Sequence, residues 1–335
     1  MSVHVLETTA VTGLVEDATA APSMHNAQPW RFRFLREEST FQVYSDLERA
    51  MPRADPTTRG LHLGCAAAVF NLRVAVAHTG WAAATELLPD ATEPRLLARV
   101  RLTDPASSGI ENGVEEDLAP LYPVIRRRHT SRRPFTDEAI PQAIKDALSA
   151  AALLEGVRLQ FPDAWHVHTL LDLVQDSEGR DALDAAASEE LRRWTRVGAE
   201  SSDRANDGVP EYAFGPRKLY GRAPVRDFAG RDMGSGREVA AFENAPQLAI
   251  LGTMSDRPRD WLMAGQAMER VLLQATLDGL ATSLTSQALE WPELRWVVRD
   301  PRSAMGFVQM VLRLGYGPAG PDTPRRPVEE VLDIA

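Results

Sequence analysis

The chain has 335 residues, 44% hydrophobic and 25% charged, with a formal net charge of −10, the profile of an ordinary globular protein. Net negative charge argues against nucleic-acid backbones and anionic membranes as partners. The single cysteine, Cys65, allows no intrachain disulfide and suits a reducing, cytoplasmic setting. The first twenty residues lack the basic-then-apolar pattern of a signal peptide, and no uninterrupted apolar run reaches about 18 residues, the length needed to span a bilayer.

Taken in chain order, Thr8–Ala20 has apolar Val11, Leu14, Val15 and Ala18 at helical spacing. Residues 21–29 are rich in turn formers. Trp30–Leu35 alternates as a strand with one buried face, and Phe41–Tyr44 reads as its antiparallel partner. Asp55-Pro56-Thr57-Thr58 opens a helix over Leu61–Thr79 that is apolar nearly all round, hence central and buried. Gly80 ends it. Trp81–Leu88 and Leu96–Leu102 are strand candidates. Glu111–Arg128 runs from acidic to basic, which suits a helix dipole. Helix Ile140–Leu154, strand Val157–Phe161 and helix Trp165–Leu191 follow.

Trp194–Phe242 mixes Gly, Pro, Asp, Arg and Ser with Tyr212, Phe214, Tyr220 and Phe228. A stretch this long is a lid, a binding segment or disorder, and its aromatics argue against plain disorder. Strand Gln247–Met254, a second long apolar helix Trp261–Asp278 closed by Gly279, and strand Val308–Tyr316 complete the elements. The two long helices, each followed by strands, suggest a duplication too long in period for a solenoid.

Two features carry chemistry. Arg126–Arg133 is the strongest basic cluster in an acidic chain, and Arg325-Arg326 is a second one between prolines. Guanidinium forks grip phosphate bidentately, although charge alone serves a solvated helix end equally well. Pro22-Ser23-x-x-Asn26-x-Gln28-Pro29-Trp30 sets a hydroxyl and two amides in a stiff loop, groups that can donate to and accept from a heterocycle edge; an ordinary turn is the plainer reading. Gly315–Gly320 fits G-x-G-x-x-G, but Pro321 and Pro324 follow where a dinucleotide-binding unit needs a helix. His166 and His168 have no further ligand at metal spacing and read as part of a partly exposed helix. Cys65 reads as core packing.

The loop Ala21–Trp30, Arg128-x-Thr130-x-Arg132, the helix end Gly279-Leu280 and the closing Arg325-Arg326-Pro327 together resemble the FMN-binding signature of the nitroreductase family. The order departs from the usual one, in which the Arg segment precedes the Pro-Ser loop by one helix. It is similar to the Acg-type branch, where two halves fused in one chain replace the homodimer. The resemblance implies an α+β fold with antiparallel sheets and central apolar helices. It implies related halves at residues 1–115 and 116–335, with a lid-like insertion at about 194–242. A monomer is expected, because a fused pair already buries the family's dimer surface.

The same resemblance implies that Arg128, Arg325 and Arg326 bind the FMN phosphate. Arg132 would lie at the pyrimidine edge of the ring, where a cation supports the charge that grows on reduction. Thr130 stands where Ser is usual and can still hydrogen-bond. Pro22, Ser23, Asn26 and Gln28 would line the ring and ribityl chain, and Thr285-Ser286 would present a backbone N–H toward the flavin. The implied function is an NAD(P)H-dependent flavin oxidoreductase acting on nitroaromatics, quinones or related small acceptors, with no catalytic acid or base of its own. The alternative is a flavin-sequestering protein under a closed lid.

Overall fold

The computed structural model describes residues 6–103, 117–198, 204–229, 236–300, 302–303 and 305–335. Helix α1 (Thr8–Thr19) leads into β1 (Trp30–Leu35) and β2 (Thr40–Ser45). β1 buries Trp30, Phe32 and Phe34 and exposes Arg31 and Arg33, as its alternation requires. Helix α2 (Arg59–His78) follows, then β3 (Ala82–Leu87) and β4 (Leu96–Thr103). Later come α3 (Gln142–Leu154), β5 (Arg158–Gln160), α4 (Ala164–Asp181) and α5 (Ala185–Arg193). Short strands β6 (Thr195–Arg196), β7 (Val209–Pro210), β8 (Arg217–Tyr220) and β9 (Val239–Ala241) lie in the insertion. The chain closes with β10 (Gln247–Thr253), α6 (Pro258–Leu277), β11 (Ala281–Thr285), α7 (Pro292–Val298), β12 (Phe307–Gly315), α8 (Val328–Val331) and β13 (Leu332–Ile334).

Two main sheets form. One has the order β13-β1-β2-β4-β3, the other β11-β12-β10-β5. Their pairs are antiparallel except β13, which adds to β1 in parallel with Phe32 opposite Leu332. The fold is thus α+β, with α2 and α6 packed on each other at the centre. Gly265 explains how closely they approach: a Cβ there would lie 2.4 Å from the Leu63 carbonyl oxygen and 2.7 Å from the Ala66 Cβ. α2 is long and apolar enough by composition to cross a bilayer, but nearly all of it is buried inside the protein.

The core junction also holds charge. Glu155 accepts from Arg73 (2.8 Å) and Arg270 (2.9 Å), and Arg73 also donates to Gln266 (2.8 Å). These side chains sit deep between α2, α3 and α6, so removing one partner strands the others at about 3–5 kcal/mol.

Several local expectations need correction. The described part of Glu111–Arg128 (residues 111–116 lie outside the described residues) is a short 3-10 turn, Ala119–Val124. Pro120 and Pro123 remove the N–H groups an α-helix needs. Trp165–Leu191 is two helices, because the Asp184 carboxylate caps a second one by accepting from Ala186 (2.9 Å) and Ala187 (3.1 Å) N–H. The helix that carries His166 and His168 is partly exposed, as expected, and within it His166 is buried with Nε2 2.9 Å from the Val298 carbonyl. Cys65 lies in the core as its sequence context implies, and burial pushes its thiol well above the usual range. Residues 328–334 form α8 and β13. The boundary at residues 115–116 and parts of the expected insertion, residues 199–203 and 230–235, lie outside the described residues.

Candidate functional site

The loop after α1 is held in an uncommon backbone path. His25 (φ 48°), Asn26 (φ 55°) and Gln28 (φ 53°) are all left-handed, each at a cost of about 1–2 kcal/mol for a residue with a Cβ. The Ser23 hydroxyl accepts from Gln28 N–H (2.8 Å) and fixes the turn. Pro22 is buried beneath it, and Gly64 of α2 leaves the room: a Cβ there would stand 3.1 Å from the Ser23 Cβ.

The distant basic residues converge on this loop. Arg325 donates to the carbonyls of Thr19 (2.8 Å), Ala20 (3.0 Å) and Ala21 (3.3 Å) and to Asn26 Oδ1 (3.1 Å). Arg128 also donates to Ala20 O (3.0 Å). Both guanidinium groups therefore cap the C-terminus of α1, where orphan carbonyls and the helix dipole favour cations. The backbone N–H of Arg326 donates to Gln28 Oε1 (2.8 Å), and its side chain approaches Asp46 (3.7 Å) and Glu330 (3.4 Å).

Arg128 also faces Glu269 of α6 across 3.3 Å, both essentially buried. Neither Arg128 Nε nor Glu269 Oε2 has a hydrogen-bond partner. With its amide oriented to satisfy both ends, Asn71 donates to Glu269 Oε1 (3.0 Å) and accepts from Ala21 N–H (3.1 Å). Burial raises the Glu269 carboxyl to about 7, against the pull of Arg128, Asn71 and Arg325. Burial, with help from Arg128, lowers Arg325 to about 9.

The Arg segment runs along β11. Thr130 forms a parallel bridge with Thr282, Ser131 N–H donates to Thr282 O (2.8 Å), and the Ser131 hydroxyl donates to Pro318 O (2.7 Å). Gly320 permits this close passage, since a Cβ there would sit 2.1 Å from Thr130 O. This places Arg132 near the far end of the loop.

One segment covers the whole cluster. Within residues 204–229, Asn206 O accepts from the Gln28 amide (2.8 Å) and Gly208 O from the Asn26 amide (2.9 Å). Ala213 O accepts from Arg132 (3.0 Å), and Pro224 O from the Thr285 hydroxyl (3.2 Å). Phe228 lies 4.7 Å from the Arg132 guanidinium, packs edge-on against His25 (5.4 Å) and stacks on Phe214 (6.0 Å). Arg226 pairs with Glu290, which also accepts from Ser286 (2.7 Å). Val209, Ala213, Phe214, Phe228 and Ala229 form a small apolar cluster of their own, separate from the main core.

His25 is the residue sequence reasoning passed over. It is buried, and neither ring nitrogen has a partner. Burial, then the Arg226 and Arg132 cations, hold it well below the usual histidine range, so the ring is neutral. Its place inside the loop motif is the signal that could have singled it out. Glu269, mid-helix among apolar residues, left a weaker one. No group of three or more metal-ligating side chains occurs among the described residues.

A sequence model described as the nitroreductase family matches residues 125–300. A Mycobacterium tuberculosis protein with the provisional name NAD(P)H nitroreductase is 31% identical, over 99% of this chain and 94% of its own. The M. tuberculosis protein Acg, provisionally named the same way, is 27% identical over 98% and 96%. An FMN- and NADPH-dependent nitroreductase from Sphigopyxis sp. strain HMH superposes with a TM-score of 0.37 at 16% identity, over 64% of this chain and 97% of its own. With more than half its length matched by the family and a relative at 31% identity almost end to end, this chain belongs to the nitroreductase family.

Proposed function

We propose that the chain is an FMN-binding oxidoreductase that takes reducing equivalents from NAD(P)H and passes them to a small acceptor such as a nitroaromatic or quinone. The observation that carries this reading is the convergence of Arg128 and Arg325 on the C-terminus of α1, with Arg325 also reaching Asn26 of the loop that follows, beside a buried His25 whose two ring nitrogens lack partners. A surplus of buried cations and orphaned donors fits a phosphorylated heterocycle.

Bound FMN supplies hydride transfer chemistry at its ring. The residues of the chain supply the setting. Arg128 and Arg325 hold the phosphate, and Arg326, whose side chain meets Asp46 and Glu330, is the third cation assigned to it. Pro22, Ser23, Asn26 and Gln28 line the ring and ribityl chain. Arg132, lowered by burial and Arg226 only to about 10, keeps its charge at neutral pH and offsets negative charge at the pyrimidine edge. Thr130, Thr285 and Ser286 border the ring from the β11 side. No acid or base is needed for hydride transfer itself.

A second reading, flavin held under a closed lid without turnover, is favoured by the backbone carbonyls of 206–224 that engage Asn26, Gln28, Arg132 and Thr285. An anaerobic NADPH titration of the FMN-loaded protein separates the two. Bleaching of the flavin absorbance supports the oxidoreductase. A bound flavin that stays yellow favours sequestration, and a protein that retains no FMN defeats both.

The assembly proposal is a pseudo-dimer within one chain, with halves at residues 1–115 and 116–335. Two sheets, each with its own long central helix, support it, and β13 returns from the second half to complete the first sheet. Acidic charge and Cys65 favour a cytoplasmic protein with neither nucleic acid nor membrane as partner, and a fused pair that already buries the family's dimer surface favours a monomer. A stable dimer by light scattering would contradict the monomer.

A further inference from the structure

A cavity of about 320 Å³ opens beside this site without sharing any of the residues assigned to the flavin. Arg59, the first residue of α2, lies at its floor. Leu289, Phe307 and Val308 give it an apolar wall, and Trp296 and Arg299 form the rim. The volume is at the low end of the roughly 300–1,000 Å³ typical of small-molecule sites, enough for a single-ring compound.

Its acids are already committed. Asp55 accepts from the N–H groups of Gly60 (2.9 Å) and Leu61 (2.8 Å) at the start of α2. Asp256 takes both arms of Arg295 (2.7 and 2.8 Å). Glu290 is shared by Arg226 and Ser286. The cations are less fully used. Arg59 gives one N–H to the Gln309 carbonyl, and its remaining N–H groups have no acceptor among the described residues. Arg299 lies 4.2 Å over the exposed Trp296 ring and makes no ion pair among the described residues.

A buried guanidinium with spare donors facing an apolar slot is an unmet demand for a planar anion, since its fork matches a carboxylate. An indole at the mouth offers a ring a stacking face. We infer that this cavity binds a small aromatic carboxylate, with the carboxylate on Arg59 and the ring between Trp296 and the Leu289–Phe307 wall. Burial and the neighbouring Arg295 lower Arg59 to about 10, against the pull of the Asp55, Asp256 and Glu290 carboxylates, which leaves it charged at neutral pH.

The test is calorimetric titration of the full-length protein with benzoate, and with benzamide as the uncharged isostere. Saturable benzoate binding is expected, with benzamide at least about tenfold weaker, the equivalent of about 1.4 kcal/mol. Arg59→Gln abolishes the preference for benzoate. Trp296→Ala and Arg299→Gln, on the exposed rim where folding is not at stake, each weaken benzoate several-fold. No saturable heat, equal affinity for benzamide, or benzoate affinity unchanged in both rim variants overturns the assignment. The outcome is independent of flavin binding, which the absorbance titration reads separately.

Discussion

Replacing Phe228 with alanine separates the stability of the covering segment from that of the fold beneath it. Phe228 is 8% exposed and belongs to the small apolar cluster of residues 209–229, not to the main core. Its ring also packs on Arg132 and His25 of the site. Truncating a buried Phe costs about 3–5 kcal/mol. Because this ring joins the segment to the site, that cost falls on the segment's docking, and about 4 kcal/mol raises the open population by about 10³-fold. Amide exchange across residues 206–229, followed by mass spectrometry, should accelerate accordingly. The melting transition of the remainder should hardly move. NADPH should then bleach bound flavin faster than in the unaltered protein. Unchanged exchange in 206–229, or a whole protein that melts several degrees lower with no local change, would refute this coupling.

Other expectations follow from the same geometry. A Glu269 carboxyl that ionises near 7 rather than 4.5 contributes about 3 kcal/mol of stability, fully present below about pH 4.5 and lost as pH rises through about 7; thermal melts in that window should show the decline, and Glu269→Gln should flatten it. Asp256 runs the other way: its partners Arg295, Trp261 and Gln309 outweigh burial and hold it at about 2, so its contribution is present above pH 3.8 and lost as pH falls through about 2, and the acid limb of the same melts should steepen less in Asp256→Asn. Arg325→Met strands the carbonyls of Thr19 and Ala21, while Ala20 keeps Arg128, at about 1–3 kcal/mol for each group left buried without a donor; a lower melting temperature and loss of flavin retention on gel filtration are expected, and retention equal to the unaltered protein would remove Arg325 from the site.

The strands and the central helices were legible because their periodicity is strong. Trp30–Leu35 emerges with the boundaries its alternation implies, and the all-round apolar character of Leu61–Thr79 matches its burial. In the described part of Glu111–Arg128, residues 117–128, the charge gradient suggested a helix where Pro120 and Pro123 leave a 3-10 turn. The Trp165–Leu191 pattern hid a break that one capping Asp decides. The loop and the basic clusters could be seen as candidate groups, but their partners could not. Arg325 meets Asn26 across 299 positions, and nothing local to either residue encodes that meeting. The covering segment was visible as composition, whereas its use of backbone carbonyls leaves no side-chain signature to read.

Strand β13 carries a consequence for biosynthesis. Phe32 of β1 pairs with Leu332, so 300 positions (332 − 32) separate the partners. At about 5–20 residues per second a ribosome takes roughly 15–60 s to cover that distance. Throughout the interval β1 presents an unpaired backbone edge, the kind of surface on which nascent chains pair wrongly with one another. The α1 cap and the loop it steadies must also wait for Arg325. The first sheet to be translated is therefore among the last to be sealed, and its emerging form is a natural client for chaperones until the closing strand arrives.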